Sequence, residues 1–253
     1  MTETLLVAAA IAPMHAEARV SSVQVSQRLA GHAVTVLAAD GDWLRVRGED
    51  HYEGWMHRGY LETPPATGLT SGAPLLSLGC TARRESRGVT RTLPLGAWVR
   101  ADERVIDGFA VDDATRERIF PRDAAAIGAT AVERFAGTPY QWGGISPWGA
   151  DCSGLVQTTF WLHGVALPRD AWQQAEVGRD AGTDATRWEP ADLAFFSDRP
   201  DRRITHVGIA LGDARMVHLA LGRGGYAVEH LTAGDDAYVA SLMSRLVVAR
   251  RVL

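Results

Sequence analysis

The sequence contains no lysine: all 26 basic residues are arginine, set against 30 acidic ones for a formal net charge of -4. No global basic field is available to attract nucleic acid, and none is expected as a partner. No apolar run approaches the ~20 residues that a membrane-spanning helix requires, so no membrane partner is expected either. Cysteine is nearly absent, with only Cys80 and Cys152. Two thiols cannot staple a disulfide-dense scaffold, and no CxxC or Cys/His pair offers a structural zinc site. Neither a metal nor a cofactor is expected. What the chain does have is apolar mass, at 46% of its 253 residues, which is enough to offset chain-ordering entropy and to exclude disorder as its main state. The length suits one large domain or two to three small ones.

The N-terminus, Met1-Thr-Glu-Thr-Leu-Leu-Val, carries Glu3 where a secretory leader needs positive charge, and its apolar stretch is short. It is read as a first β-strand of a cytoplasmic protein. Short strands with turn punctuation follow. Ala33-Val-Thr-Val-Leu-Ala alternates, Asp40-Gly-Asp turns the chain, and Trp43-Leu-Arg-Val-Arg alternates again, a hairpin signal. Gly54-Trp-Met-His begins another strand, and Thr63-Pro-Pro-Ala-Thr-Gly reads as a linker. A fainter copy has Leu95-Gly-Ala-Trp-Val-Arg, with Asp107-Gly-Phe-Ala-Val as its pairing partner. Two small all-β barrels are predicted, over 1–63 and 64–121, with Trp43, Trp55 and Trp98 in their cores. Arg83-Arg84 reads as a solvated loop.

From Pro121 the period changes. Residues 122–135 are Ala-rich with helical spacing, and Cys152 to Leu162 forms the next helix, stopped by Gly164 and Pro168. Strands are predicted at Leu193-Ala-Phe-Phe, His206-Val-Gly-Ile-Ala-Leu, Arg215-Met-Val-His-Leu-Ala and the tail from Ser244. Helices followed by an antiparallel sheet make an α+β domain over 122–253.

The two cysteines differ in setting. Cys80, in Ser77-Leu-Gly-Cys-Thr-Ala, is a buried filler. Cys152 opens a helix after a run of glycines, with Asp151 as N-cap. A thiol attacks as thiolate, and a helix N-terminus lowers its pKa while aiming unpaired N–H groups at a bound carbonyl. Cys152 is therefore a candidate nucleophile. His206, at the start of an apolar strand, is the candidate base. His218, twelve residues on, falls on the adjacent hairpin strand, either as a core histidine or as the residue that holds His206 in its tautomer.

Taken together, Tyr140, Gly143-Gly144, Asp151-Cys152-Ser153-Gly154, Leu167-Pro168-Arg169, Pro190-x-Asp192-Leu-x-Phe-Phe196 and His206-Val-Gly-Ile resemble the NlpC/P60 cysteine peptidases, whose catalytic domain is papain-like. The two N-terminal barrels look like bacterial SH3 modules. The architecture resembles the γ-D-glutamyl-L-diamino acid endopeptidases that recycle murein peptides. The resemblance implies Cys152 as nucleophile, His206 as base, His218 as orienting residue and Tyr140 as an oxyanion donor. It implies that Asp170 and Ser153 bind the free amine of the substrate's first residue, with Glu17 and Tyr52 of the first barrel as further substrate contacts. The substrate class implied is a murein peptide, L-Ala-γ-D-Glu-diamino acid.

Other readings stay open beside these. Tyr140 packs its ring beside the glycines, Asp170 caps a turn or pairs with Arg169, and Asp192 belongs to a turn or cap. Trp142, Trp148 and Trp172 line the cleft or simply pack. For the whole chain, the alternatives are a non-catalytic cell-wall binding protein using the SH3 modules, or a Cys/His amidase or acyltransferase on another amide or lipid.

Overall fold

The computed structural model describes residues 3–64, 73–85 and 88–253, and the chain divides into two compact units, Met1–Ile119 and Phe120–Leu253. The first unit opens with seven strands, β1 (Thr4–Val7), β2 (Ile11–His15), β3 (Gln24–Leu29), β4 (Ala33–Asp40), β5 (Trp43–Gly48), β6 (Glu53–His57) and β7 (Leu61–Glu62). They make one antiparallel sheet in the order β3-β2-β6-β5-β4-β1-β7. The alternation in β5 buries Leu44 and Val46 and leaves Arg45 and Arg47 outside. These two share a core with Leu5, Val7, Met14, Val34 and Met56. Asp40 pairs with Trp43 across the predicted turn, where Gly41 adopts φ +57.

The second sheet is smaller. Its centre is β8 (Leu75–Arg84), paired antiparallel with β9 (Val89–Leu93), β10 (Trp98–Val99) and β11 (Glu103–Val111), and helix α1 (Asp113–Ile119) follows. Three expectations change here. The strand expected at 95–100 is reduced to two residues, and Asp107–Val111 pairs with β8 instead of with it. Arg84 is no solvated loop residue: it is buried in β8, and its guanidinium is compensated by Glu62, Asp102 and Glu103. Trp43, Trp55 and Trp98 are only partly buried, so smaller aliphatic side chains make the core. Cys80 is buried in β8, as expected. Residues 65–68 of the expected linker lie outside the described residues.

The second unit contains α2 (Ala124–Arg134), β12 (Ile145–Ser146), β13 (Gly149–Ala150), α3 (Cys152–Leu162), α4 (Ala171–Gln174), β14 (Arg179–Asp180), β15 (Leu193–Phe196), β16 (His206–Gly212), β17 (Arg215–Ala220), β18 (Gly225–His230), α5 (Ala237–Met243) and β19 (Leu246–Arg251). Six of the strands form an antiparallel sheet, ordered β14-β19-β15-β16-β17-β18. Asp123 caps α2, its carboxylate accepting the Ala126 N–H at 2.9 Å, and the helix buries Ile127 and Ala131. In β15 the pleat sends Leu193 and Phe195 towards α2 and α3, while Ala194 and Phe196 pack with Trp188 and Leu242 on the opposite face. Both faces of the sheet are therefore covered, which is why β15 reads as an unbroken apolar run. This is the α+β arrangement expected over 122–253. Among the described residues, no helix is long and apolar enough to cross a membrane.

Candidate active site

Helix α3 begins at Cys152, and its start is held from three directions. Asp151 Oδ1 accepts the Gly154 N–H at 2.7 Å, and Oδ2 accepts the Gly143 N–H at 2.9 Å, tying the helix to the glycine-rich loop. Glycine is required at 154 because a Cβ there would collide with the carbonyl oxygen of Gly144. The third tie is Arg169, 1% exposed, whose Nη1 donates to Asp151 Oδ1 at 3.0 Å and to Ser153 Oγ at 2.8 Å. Its Nη2 donates to Asp151 Oδ2 at 2.7 Å and to Gly144 O at 3.4 Å. The capping carboxylate is thereby neutralised within the protein interior.

The Cys152 sulfur is buried against β16, where it accepts from the backbone N–H of Val207, the residue after His206, and from that of Ser153. Burial, with the Asp151 charge adding to it, pushes the thiol up to about 12 and outweighs both N–H groups. The helix N-terminus does not make a resting thiolate here. Burial likewise pushes the His206 imidazole down to about 3, with His218 and Arg245 acting in the same direction. At neutral pH the resting pair is thus an uncharged thiol and an uncharged imidazole.

His206 is the first residue of β16, paired with Phe196. Its Nε2 lies 2.8 Å from Nδ1 of His218, which is fully buried. The structure therefore brings His206 and His218 together, and His218 continues to a residue that sequence reasoning missed. Its Nε2 is 3.3 Å from Oε1 of Glu229, itself clamped by Arg223 at 2.8 and 3.0 Å. Glu229 sits on β18, a strand not anticipated from sequence; a hairpin register carried past Gly224-Gly225 was the available signal.

Tyr140 packs partly buried against the cluster that contains Cys152, and burial together with the nearby sulfur raises its hydroxyl pKa. Ser153 Oγ accepts from Arg169 and donates to Asp151 at 3.2 Å, which leaves one lone pair. Asp170 stands at the N-cap position of α4 without a side-chain capping bond, so the capping alternative does not hold. Asp192 Oδ2 accepts the Glu189 N–H and both its oxygens pair with Arg251, the turn role expected of it. Trp142, Trp148 and Trp172 are exposed, and Arg203 stacks over Trp172 at 5.5 Å. Glu17 and Tyr52 belong to the first unit. Glu17 is exposed and paired with Arg19 at 2.9 Å, and Tyr52 packs on the core of the seven-stranded sheet.

A nucleophile candidate at a helix start, beside a strand that presents a hydrogen-bonded imidazole, can perform acyl transfer through a thioester. Comparison with known proteins points the same way. Residues 137–238 match the NlpC/P60 family model, and residues 12–62 match that of the bacterial SH3 domain. The chain is 28% identical over 224 residues to a γ-D-glutamyl-L-lysine dipeptidyl-peptidase of Bacillus cereus, covering 74% of this chain and 65% of that protein. It is 29% identical over 210 residues to the protein of the same name from Bacillus subtilis, covering 74% and 69%. The chain thus spans about two thirds of the length of these relatives. A crystal structure of an NlpC/P60 family protein from Bacillus cereus superposes with a TM-score of 0.78 at 20% identity, covering 99% of this chain and 100% of that one. That likeness speaks for the fold.

Proposed function

Starting from a chain that carries an NlpC/P60 peptidase domain and a bacterial SH3 domain, we propose a cysteine endopeptidase that cuts the γ-D-Glu–diamino acid bond of murein peptides bearing a free N-terminal L-Ala. We read the β8–β11 sheet as a second, reduced SH3-like module. The observation that carries the reading is the Cys152 sulfur at the start of α3, against the residue that follows His206, with His206 bonded to His218.

The reaction follows from that arrangement. Substrate excludes water from the site, and His206 takes the thiol proton as sulfur attacks the γ-carbonyl carbon. The oxygen becomes an oxyanion, stabilised by the Cys152 backbone N–H and the Tyr140 hydroxyl. The imidazolium returns its proton to the leaving amine as the C–N bond breaks. Water, deprotonated by His206, then hydrolyses the thioester and frees the thiol.

Specificity in this reading lies with Asp170 and Ser153. The Asp170 carboxylate, which makes no capping bond to α4, and the spare lone pair of Ser153 suit an ammonium group. The names of the two Bacillus relatives support γ-D-glutamyl chemistry, with L-lysine in the next position.

The test is mass spectrometry of L-Ala-γ-D-Glu-diaminopimelate and the corresponding L-lysine peptide after incubation with the full chain. Release of L-Ala-γ-D-Glu by wild type, and none by Cys152→Ala, is expected. Turnover by Cys152→Ala removes that residue as nucleophile. Acetylating the substrate amine should cost about tenfold or more in kcat/KM, and equal rates on blocked and free peptides would refute the amine subsite.

A further inference from the structure

The proposed reaction makes no use of the buried carboxylate of Glu229, yet this group ends a line that begins at the candidate base. His206, His218 and Glu229 lie on β16, β17 and β18, three neighbouring antiparallel strands. Register pairs His218 with Ala227 and Met216 with Glu229, so the carboxylate reaches the imidazole diagonally on one face. Glu229 is 6% exposed, and hydrogen bonds from His218 and Arg223 hold its carboxyl at about 2, well below the usual carboxylate range. It is also fixed in place. Arg223 grips both its oxygens, is gripped in turn by Asp236 at 2.8 Å, and lies 4.1 Å over the Tyr238 ring.

We propose that Glu229 is a positioning residue that sets the tautomers of both histidines and thereby decides which nitrogen of His206 acts as base. The proposal rests on the reading of Cys152 and His206 as the reacting pair. An ionised carboxylate can only accept, so when the His218 ring carries a single proton that proton resides on Nε2. Its Nδ1 is then a lone pair, and the 2.8 Å contact requires His206 Nε2 to donate. That leaves Nδ1 of His206 bare. When Nδ1 takes the thiol proton, sulfur keeps the bonding electron pair and the imidazolium carries one proton on each nitrogen. The Nε2 proton stays on His206, and none passes to His218 or Glu229. The proton lost by the imidazolium in the next step leaves from Nδ1 to the departing amine.

Histidine-15N NMR of the full chain at neutral pH tests this, with signals assigned from His206→Gln and His218→Gln. Both residues are expected to show a protonated Nε2 and an unprotonated Nδ1. Glu229→Gln keeps the volume but presents an amide that can accept or donate. It is expected to give mixed tautomers and about a tenfold loss in kcat, with KM unchanged within about twofold, while Glu229→Asp recovers part of kcat. A wild-type spectrum with His206 protonated at Nδ1 overturns the proposal. So does a Glu229→Gln protein with wild-type tautomers and wild-type kcat. Should wild type cleave neither murein peptide, the substrate reading fails, while the wild-type spectrum still decides the role of Glu229.

Discussion

Replacing Arg169 by Met would remove the guanidinium while filling most of its volume, so the cost reports charge pairing more than a cavity. Arg169 is 1% exposed, and its partner Asp151 is buried as well. The substitution leaves a carboxylate inside the protein with the Gly143 and Gly154 N–H groups and the Ser153 hydroxyl as its remaining donors. Breaking a buried ion pair typically costs ~3–5 kcal/mol. Those three donors pull the figure to the lower end, while Ser153 and Gly144 each lose a bond from Arg169, so we expect ~3 kcal/mol. Asp151→Asn keeps an oxygen for capping but takes the negative charge from beside the guanidinium, and should cost a similar amount. The double variant Asp151→Asn/Arg169→Met removes both charges together. It should therefore fall short of the sum of the singles by ~2 kcal/mol or more. Urea unfolding of the full chain measures these values, with alkylation of Cys152, read by peptide mass spectrometry, reporting the second unit specifically. A single-variant loss under ~1 kcal/mol, or strict additivity in the double variant, would refute the account of how the helix start is held.

Three other outcomes follow from the same geometry. Gly154→Ala, which in an ordinary helix interior stabilises by ~1 kcal/mol, should instead destabilise by ~2 kcal/mol, because its Cβ meets the Gly144 carbonyl oxygen and Asp151 Oδ1; a raised Tm in calorimetry would refute this. With burial holding Cys152 as thiol and His206 as neutral imidazole, ultraviolet absorbance at ~240 nm, with Cys152→Ala as blank, should show no thiolate step between about pH 5 and pH 8. A step centred below about pH 7 would show an ion pair at rest. Glu229 has a folded pKa depressed to about 2, so its stabilisation is present above its unfolded value near 4.5 and is lost as pH falls through about 2. Over that window Glu229→Gln should flatten the acid limb of the stability curve by ~1–2 kcal/mol after allowance for solvent screening, and an unchanged limb in urea titrations argues against it.

What could be seen in the sequence, and what could not, divides on whether the signal is local. The start of α3 was legible because Asp151, Cys152 and Gly154 are neighbours whose cap geometry needs only one another. Leu193–Phe196, Arg215–Ala220 and the His206 strand were legible as short, largely apolar runs, and the His206–His218 contact from their hairpin spacing. Glu229, Arg169 and Arg84 are charged residues, which local pattern assigns to solvent. They are buried because carboxylates or guanidiniums arrive from elsewhere: Asp151 for Arg169, Arg223 for Glu229, and Glu62, Asp102 and Glu103 for Arg84. The unexpected direction of the Cys152 shift has the same origin, since a helix N-terminus is visible locally and the desolvation that outweighs it is not. Compensated charge is thus the part of a catalytic fold that periodicity hides. One partial remedy is available from sequence alone: once a strand histidine is suspected, the hairpin register beyond it names the few positions from which a carboxylate can reach its far nitrogen. Here that register runs from His218 through the Gly224-Gly225 turn to Ala227 opposite, and the acidic residue two places further on is Glu229.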